Sequence, residues 1–189
     1  NASDGADPSL THVGARQASA MADWMKSEHI DSMYVSPMAR ARQRAAPLEA
    51  ALGMEATVVE GVREFDSQEP DYIPMEELKA DKEAWRAYLA ENESLTRDDF
   101  RGEVLEALNE ITAANRGKRV AVVCHGGVIN AYLSHILGLD PGQRGFFYPN
   151  YTSIHRIAAA SSGERSVVTL NETSHLRGTG LPMGLFQKG

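Results

Sequence analysis

The sequence predicts one α/β domain, with a parallel or mixed sheet and helices on its faces. Three observations carry this. Helical and strand-like segments alternate from Thr11 to Val59. Val120 to Cys124 is a short apolar run rich in β-branched residues, the pattern of a strand buried on both faces. The 189 residues, 42% hydrophobic and 24% charged, suffice for one sizeable core with at most a subdomain.

Taken in order, Thr11 is a good N-cap for a helix to about Glu28. Ala18, Met21, Ala22 and Met25 give that helix one apolar stripe. Ile30 to Val35 reads as a strand. Ser36 and Pro37 end it and open a second helix, with Pro37 in the first turn. Ala41, Ala45, Leu48 and Leu52 face inward on this helix, and Gly53 stops it. Ala56 to Val59 is a further strand.

The character then changes. About 66–115 reads as a helical insertion that roofs a site and is not a domain of its own. Within it Met75 to Glu91 is helix-prone, with Leu78, Trp85 and Leu89 as its apolar contacts. Thr96 caps another helix to Ala114, with Asp98 and Asp99 in the first turn and Phe100, Val104, Leu105, Leu108 and Ile111 as its buried stripe. After the central strand, Val128, Ala131, Tyr132, Leu133, Ile136 and Leu137 recur at helical spacing up to Gly138. Tyr151 to Ala159 and Ser166 to Leu170 read as an antiparallel hairpin turning at Ser161 to Glu164. The glycine-rich tail, about 177–189, is expected to be flexible. No repeat or linker divides the chain, so 1–189 is read as a single domain.

Composition narrows the function. A formal charge of −7 argues against non-specific nucleic-acid binding, which needs a basic face. One cysteine, Cys124, permits no intrachain disulfide and suits a reducing, cytoplasmic compartment. No apolar run approaches the ~20 residues of a membrane span, so no membrane partner is expected.

His125 is the first candidate. It stands at the carboxyl end of the central strand, followed by Gly126 and Gly127 where a helix begins. In α/β folds ligands bind at that edge, and a helix N-terminus favours an anion. The pattern suggests a phosphate or carboxylate handled beside an imidazole. The competing reading is a core histidine satisfied by the backbone. Cys124 is weighed as a thiolate nucleophile, but strand alternation turns it away from the face His125 uses.

The second candidate lies in SPMARARQRAAP, Ser36 to Pro47. Arg40, Arg42 and Arg44 crowd a helix start, where the dipole disfavours cations. Arg42 and Arg44 read as a solvated basic face. Arg40 is placed for a bidentate contact to phosphate. The third is Glu64 in VREFDS. It is either a surface carboxylate or, if it lies in the same cleft, a proton donor to a leaving oxygen.

SLTHVGARQA, VSPMARARQRAAPLEAALG, GVREFD, VAVVCHGGVINAYL and YTSIHRI, taken together, resemble the histidine phosphatase superfamily, whose fold is phosphoglycerate mutase-like. The resemblance implies a three-layer α/β/α sandwich with a mostly parallel central sheet. It implies that Arg40 is the phosphate-pocket arginine. His125 becomes the second histidine, stabilising charge on the phosphoryl oxygens, and Glu64 the acid that protonates the leaving group. His175 is expected to face the site, and Gly126 to offer its helix N-terminus to the substrate. His12 is rejected as a nucleophile, and His29, His135 and His155 read as surface or packing residues.

The family's nucleophile is a histidine in an R-H-G or R-H-A motif at the end of a first strand beside the strand of His125. Nothing in the sequence matches it. Leaving that strand out would strand two rows of unpaired backbone groups, at roughly several kcal/mol. We therefore expect about ten to twenty further N-terminal residues that supply strand and nucleophile, without which the chain is inactive. Two departures stand out. FDSQEP follows Glu64 where many relatives have a glycine, and Gln68 to Ser94 is acidic, which disfavours a highly phosphorylated substrate if those side chains point inward.

The resulting expectation is a cytoplasmic phosphatase. It hydrolyses a small phosphorylated metabolite through a phosphohistidine, with no metal and no cofactor, and has neither nucleic acid nor membrane as partner. Whether it forms a homodimer is open. Mutase-type phosphoryl transfer is the first alternative, and a non-catalytic binding domain on the same fold is the second.

Overall fold

Thr11 ends the polar N-terminal loop, and its hydroxyl accepts from the Gly14 N–H at 3.1 Å to start α1, His12–Met25. This geometry comes from a computed structural model, which describes residues 7–67, 81–83, 86–87, 97–139 and 146–184. β1 follows at Ser32–Val35 and α2 at Ala39–Leu52. Pro37 does not enter the helix. The N-cap is Met38, and the first turn is held from outside by Asp7, whose carboxylate accepts the Ala39 N–H at 2.6 Å. Gly53 ends α2 at φ 65°, a left-handed geometry that costs glycine little. β2 is only Thr57–Val58, followed by a 3-10 turn, Glu60–Val62.

α3 spans Arg97–Ala114, β3 Val120–Val123 and α4 Gly126–Ile136. The three strands form one parallel sheet in the order β2-β1-β3. Alternation along the strands sends side chains into two cores. On one face Met33, Val35 and Val123 meet Met21 and Ala22 of α1 and Ala41, Ala45 and Leu48 of α2. On the other, Val122 and Cys124 meet Val104 and Ala107 of α3, Val128 of α4 and Val62. The result is the α/β/α layering expected from the sequence.

Three expectations are corrected here. First, α3 is not part of a roof. Val104 and Ile111 are buried, and the helix forms one outer layer beside α4. Of the supposed insertion, the Met75 to Glu91 helix is described only at 81–83 and 86–87; its contacts Leu78, Trp85 and Leu89, and the Thr96 cap, lie outside the described residues. Second, β3 is not buried on both faces: only Val123 is fully buried, while Val120 to Val122 are half-buried. Among the described residues β3 pairs with β1 alone and forms the edge of the sheet.

The third concerns the tail. β4 (Ile154–Ala159) and β5 (Arg165–Glu172) form the expected antiparallel hairpin, as a separate two-stranded sheet. A 3-10 turn, Ser174–Leu176, leads away from it and packs on α1. Beyond it the chain stays docked through residue 184, where composition predicts flexibility. Leu181 is buried, and the Gln17 side chain donates to the Pro182 carbonyl at 2.6 Å. Apolar burial outweighs the freedom of the neighbouring glycines. Leu181→Ala is therefore expected to cost about 2–3 kcal/mol in urea unfolding; a loose tail would give a change within about 0.5 kcal/mol. Among the described residues no helix is long and apolar enough to cross a membrane.

Candidate active site

β1 and β3 run in register, with Val35 opposite Val123, so the residues that follow them emerge at the same edge. The Ser36 N–H donates to the Val123 carbonyl at 3.0 Å and fixes that alignment. Ser36 Oγ and His125 Nε2 then share a hydrogen bond of 2.7 Å, with both residues buried. Ser36 Oγ also accepts the Met38 N–H at 3.3 Å. Thus the residue before Pro37, read from sequence only as a strand end, sets the orientation of the imidazole. Its signal was there: a hydroxyl one step past a strand, at the same edge as His125.

Burial pushes the His125 pKa down to about 3, and the positive charges of Arg40 and Arg44 push the same way. Both effects favour the neutral ring at neutral pH. In that form it can donate a hydrogen bond to an oxyanion. Arg44 is not part of a solvated face. It is half-buried and acts on both His125 and Cys124, while Arg42 is exposed as expected.

Glu64 is brought to the same place. Its Oε2 accepts the Gly127 N–H at 3.0 Å, two residues after His125, and its Oε1 accepts the Phe65 N–H at 3.0 Å. Its own N–H donates to Met38 Sδ at 3.4 Å. Gly127 is needed for this approach: a Cβ there would lie 2.1 Å from Glu64 Oε1. Burial raises the Glu64 pKa, against the two N–H bonds and Arg40, which lower it; the neighbouring charge of Asp66 raises it further. The net shift favours a retained proton. The start of α4, expected to receive substrate at Gly126, has its Gly127 N–H engaged by this carboxyl group.

Arg40 is 9% exposed and lies on the first turn of α2. Its Nη2 is 3.2 Å from Asp66 Oδ1, and its Nη1 is 3.6 Å from Asp7 Oδ1. Neither aspartate was singled out from the sequence. Arg40, Ser36, His125 and Glu64 thus gather at one edge of the sheet: a buried guanidinium, a buried imidazole whose pKa is lowered and a half-buried carboxyl group whose pKa is raised.

The profile of the histidine phosphatase superfamily (branch 1) matches residues 2–173. The chain belongs to that family. Among similar proteins, one named "Probable phosphoglycerate mutase GpmB" from Yersinia enterocolitica is 28% identical over 144 residues, 71% of this chain and 66% of that protein. The namesake from Yersinia pestis is 27% identical over 142 residues. The chain thus spans just under two thirds of these relatives. Among solved structures, YhfR from Bacillus stearothermophilus superposes with a TM-score of 0.76 at 19% identity, over 90% of this chain and 88% of that one. A mutant phosphoserine phosphatase from Entamoeba histolytica, in complex with phosphoserine, gives 0.73 at 24% identity, over 91% and 89%. Both likenesses support the fold.

Within this histidine phosphatase superfamily member, Cys124 packs on the α3–α4 face, and burial, with Glu64 adding, pushes its thiol up to about 12. It is no nucleophile at neutral pH. His175 is buried, but its Nε2 shares a hydrogen bond of 2.9 Å with Thr152 Oγ1. Neither the Ser36–His125 bond nor the Gly127–Glu64 bond includes it. His12, at the start of α1, and His135 are exposed, and His29 pairs with Asp31 at 3.0 Å on the surface. Among the described residues no group of three or more His, Cys, Asp or Glu is placed to hold a metal ion.

The His125 shift has a consequence for stability. The unfolded chain takes up a proton near pH 6.5, but the folded chain resists until about 3. This contribution is fully present above 6.5 and is lost as pH falls towards 3. The loss approaches 1.4 kcal/mol, roughly, for each pH unit in that window. Glu64 works in the opposite sense, because its raised pKa favours the folded state as pH falls. The effect is therefore read as a difference. His125→Gln is expected to flatten the acid side of the stability–pH curve, and parallel curves for the two proteins would contradict the assignment.

Proposed function

We propose that the protein hydrolyses the phosphomonoester of a small metabolite through a phosphohistidine intermediate. The observation that carries the reading is Glu64: a half-buried carboxyl group with a raised pKa, bonded to the N–H two residues after His125 and near enough to the Arg40 guanidinium to feel its charge. A phosphoryl site needs these parts. Arg40 binds the oxygens by its planar fork. His125, fixed by Ser36, donates a hydrogen bond to charge that grows in the transition state. Glu64 gives its proton to the leaving oxygen as the P–O bond breaks, and its carboxylate then takes one from the water that cleaves the P–N bond.

The nucleophile in this reading is the histidine of an R-H-G or R-H-A motif, which residues 1–189 do not contain. Residues 1–189 by themselves are accordingly expected to be inactive, and the open edge of β3 is where a strand carrying that histidine would pair. Membership in a superfamily of phosphohistidine enzymes supports the assignment. So does the likeness to a phosphoserine phosphatase in complex with phosphoserine, a small phosphorylated metabolite. The test is release of inorganic phosphate from an aryl phosphate by the full-length protein in EDTA. Turnover is expected; its absence in a folded protein would overturn the reading.

Mutase-type transfer is the second reading, favoured by the GpmB relatives. It uses the same residues but returns the phosphoryl group to the product instead of to water. Incubation with 3-phosphoglycerate separates the two: free phosphate supports a phosphatase, and 2-phosphoglycerate supports a mutase.

A further inference from the structure

Among the described residues Arg40 meets two carboxylates, and the two contacts differ. Asp7 is built into the start of α2. Its Oδ2 accepts the Ala39 N–H at 2.6 Å and its Oδ1 accepts the Arg40 N–H at 3.4 Å, so it satisfies two backbone donors at the positive end of a helix. Its separation from the Arg40 guanidinium is the longer one, 3.6 Å. Asp7 belongs to the helix cap. Asp66 comes from the loop two residues after Glu64, and its Oδ1 stands 3.2 Å from Arg40 Nη2.

An arginine grips a phosphate with a fork of parallel N–H groups. A carboxylate on Nη2 takes an edge of that fork. Two anions cannot share it cheaply where water is scarce, and the Arg40 side chain is only 10% exposed. We infer that Asp66 is a competing counter-ion for Arg40: it takes one edge of the guanidinium and must yield it when a phosphoryl group enters. This rests on the proposed phosphate role of Arg40. Asp66 then acts as a specificity-determining residue. It weakens the hold on any phosphate, and most on ligands that place a second anionic group beside it.

The experiment measures binding of inorganic phosphate to the full-length protein by calorimetry. Asp66→Asn is expected to tighten phosphate binding by roughly three- to tenfold. The gain should vanish in an Arg40→Gln background. Glu103→Gln is the control for net charge. Glu103 pairs with Arg63 at 3.4 Å on a half-exposed surface, and its loss should leave the affinity unchanged. Asp66→Ser serves as a second variant if the amide disturbs the fold. If phosphate binding needs Arg40 but is the same with and without Asp66, the inference fails and the proposed function stands. An equal gain from Glu103→Gln, or a gain that survives Arg40→Gln, also overturns it. If phosphate binds neither the wild type nor the Asp66 variants, the phosphate role of Arg40 falls and the inference falls with it.

Discussion

Glu64→Gln is expected to lower kcat for an alkyl phosphate by about 10²–10⁴, and to change turnover of a nitrophenyl phosphate far less. The asymmetry follows from the leaving group. An alkoxide is a poor leaving group and needs the Glu64 proton in the transition state, whereas a nitrophenolate departs without it. Burial raises the Glu64 pKa and so favours its acid form, against the pull of two backbone N–H groups and Arg40. Gln keeps the size of the side chain and loses the acid. Gly127→Ala is a second route to the same signature, because the added methyl carbon would lie 2.1 Å from Glu64 Oε1 and expel the carboxyl group from the start of α4. Equal losses on both kinds of substrate would show that Glu64 acts on something other than the leaving oxygen.

His125→Ala is expected to lower kcat by about 10²–10³ on alkyl and aryl phosphates alike. The imidazole acts on the phosphoryl oxygens, which carry charge whatever group departs. The two variants are thus told apart by their dependence on the leaving group, not by the size of their defects. The substitution also leaves the buried Ser36 hydroxyl without its imidazole partner, at about 1–3 kcal/mol, so folding is checked by circular dichroism at the assay temperature. Full activity in a folded His125→Ala protein would remove His125 from the site.

The layers and most elements were legible because they follow from period and punctuation. The stripe on α1, the Gly53 stop and the β4–β5 hairpin stand where alternation and turn residues put them. The His125 position was legible for a similar reason, since a strand ending at a glycine pair marks a sheet edge. What was not legible depends on contacts between distant parts of the chain. Ser36 reaches His125 only because β1 and β3 are in register, and periodicity does not give register. Asp7 and Asp66 come from opposite ends of the segment that contains Arg40, and nothing local announces that they meet it. The lowered pKa of His125 comes from burial and then from the charges of Arg40 and Arg44, so composition could not supply it. The docked segment up to residue 184 misled for the converse reason: its glycines are local, while the anchor at Leu181 is set by packing against α1 and the turn before it.

An oxyanion is expected to bind beside His125. Imidazole nitrogen–proton correlation spectra of the full-length protein, recorded as inorganic phosphate is added, test it without altering the site. The His125 resonances, assigned by their loss in His125→Gln, are expected to shift with phosphate along a saturable curve, while those of the surface residues His29 and His135 stay in place. If phosphate inhibits turnover at concentrations that leave the His125 resonances unmoved, the oxyanion binds elsewhere and His125 is no part of its site.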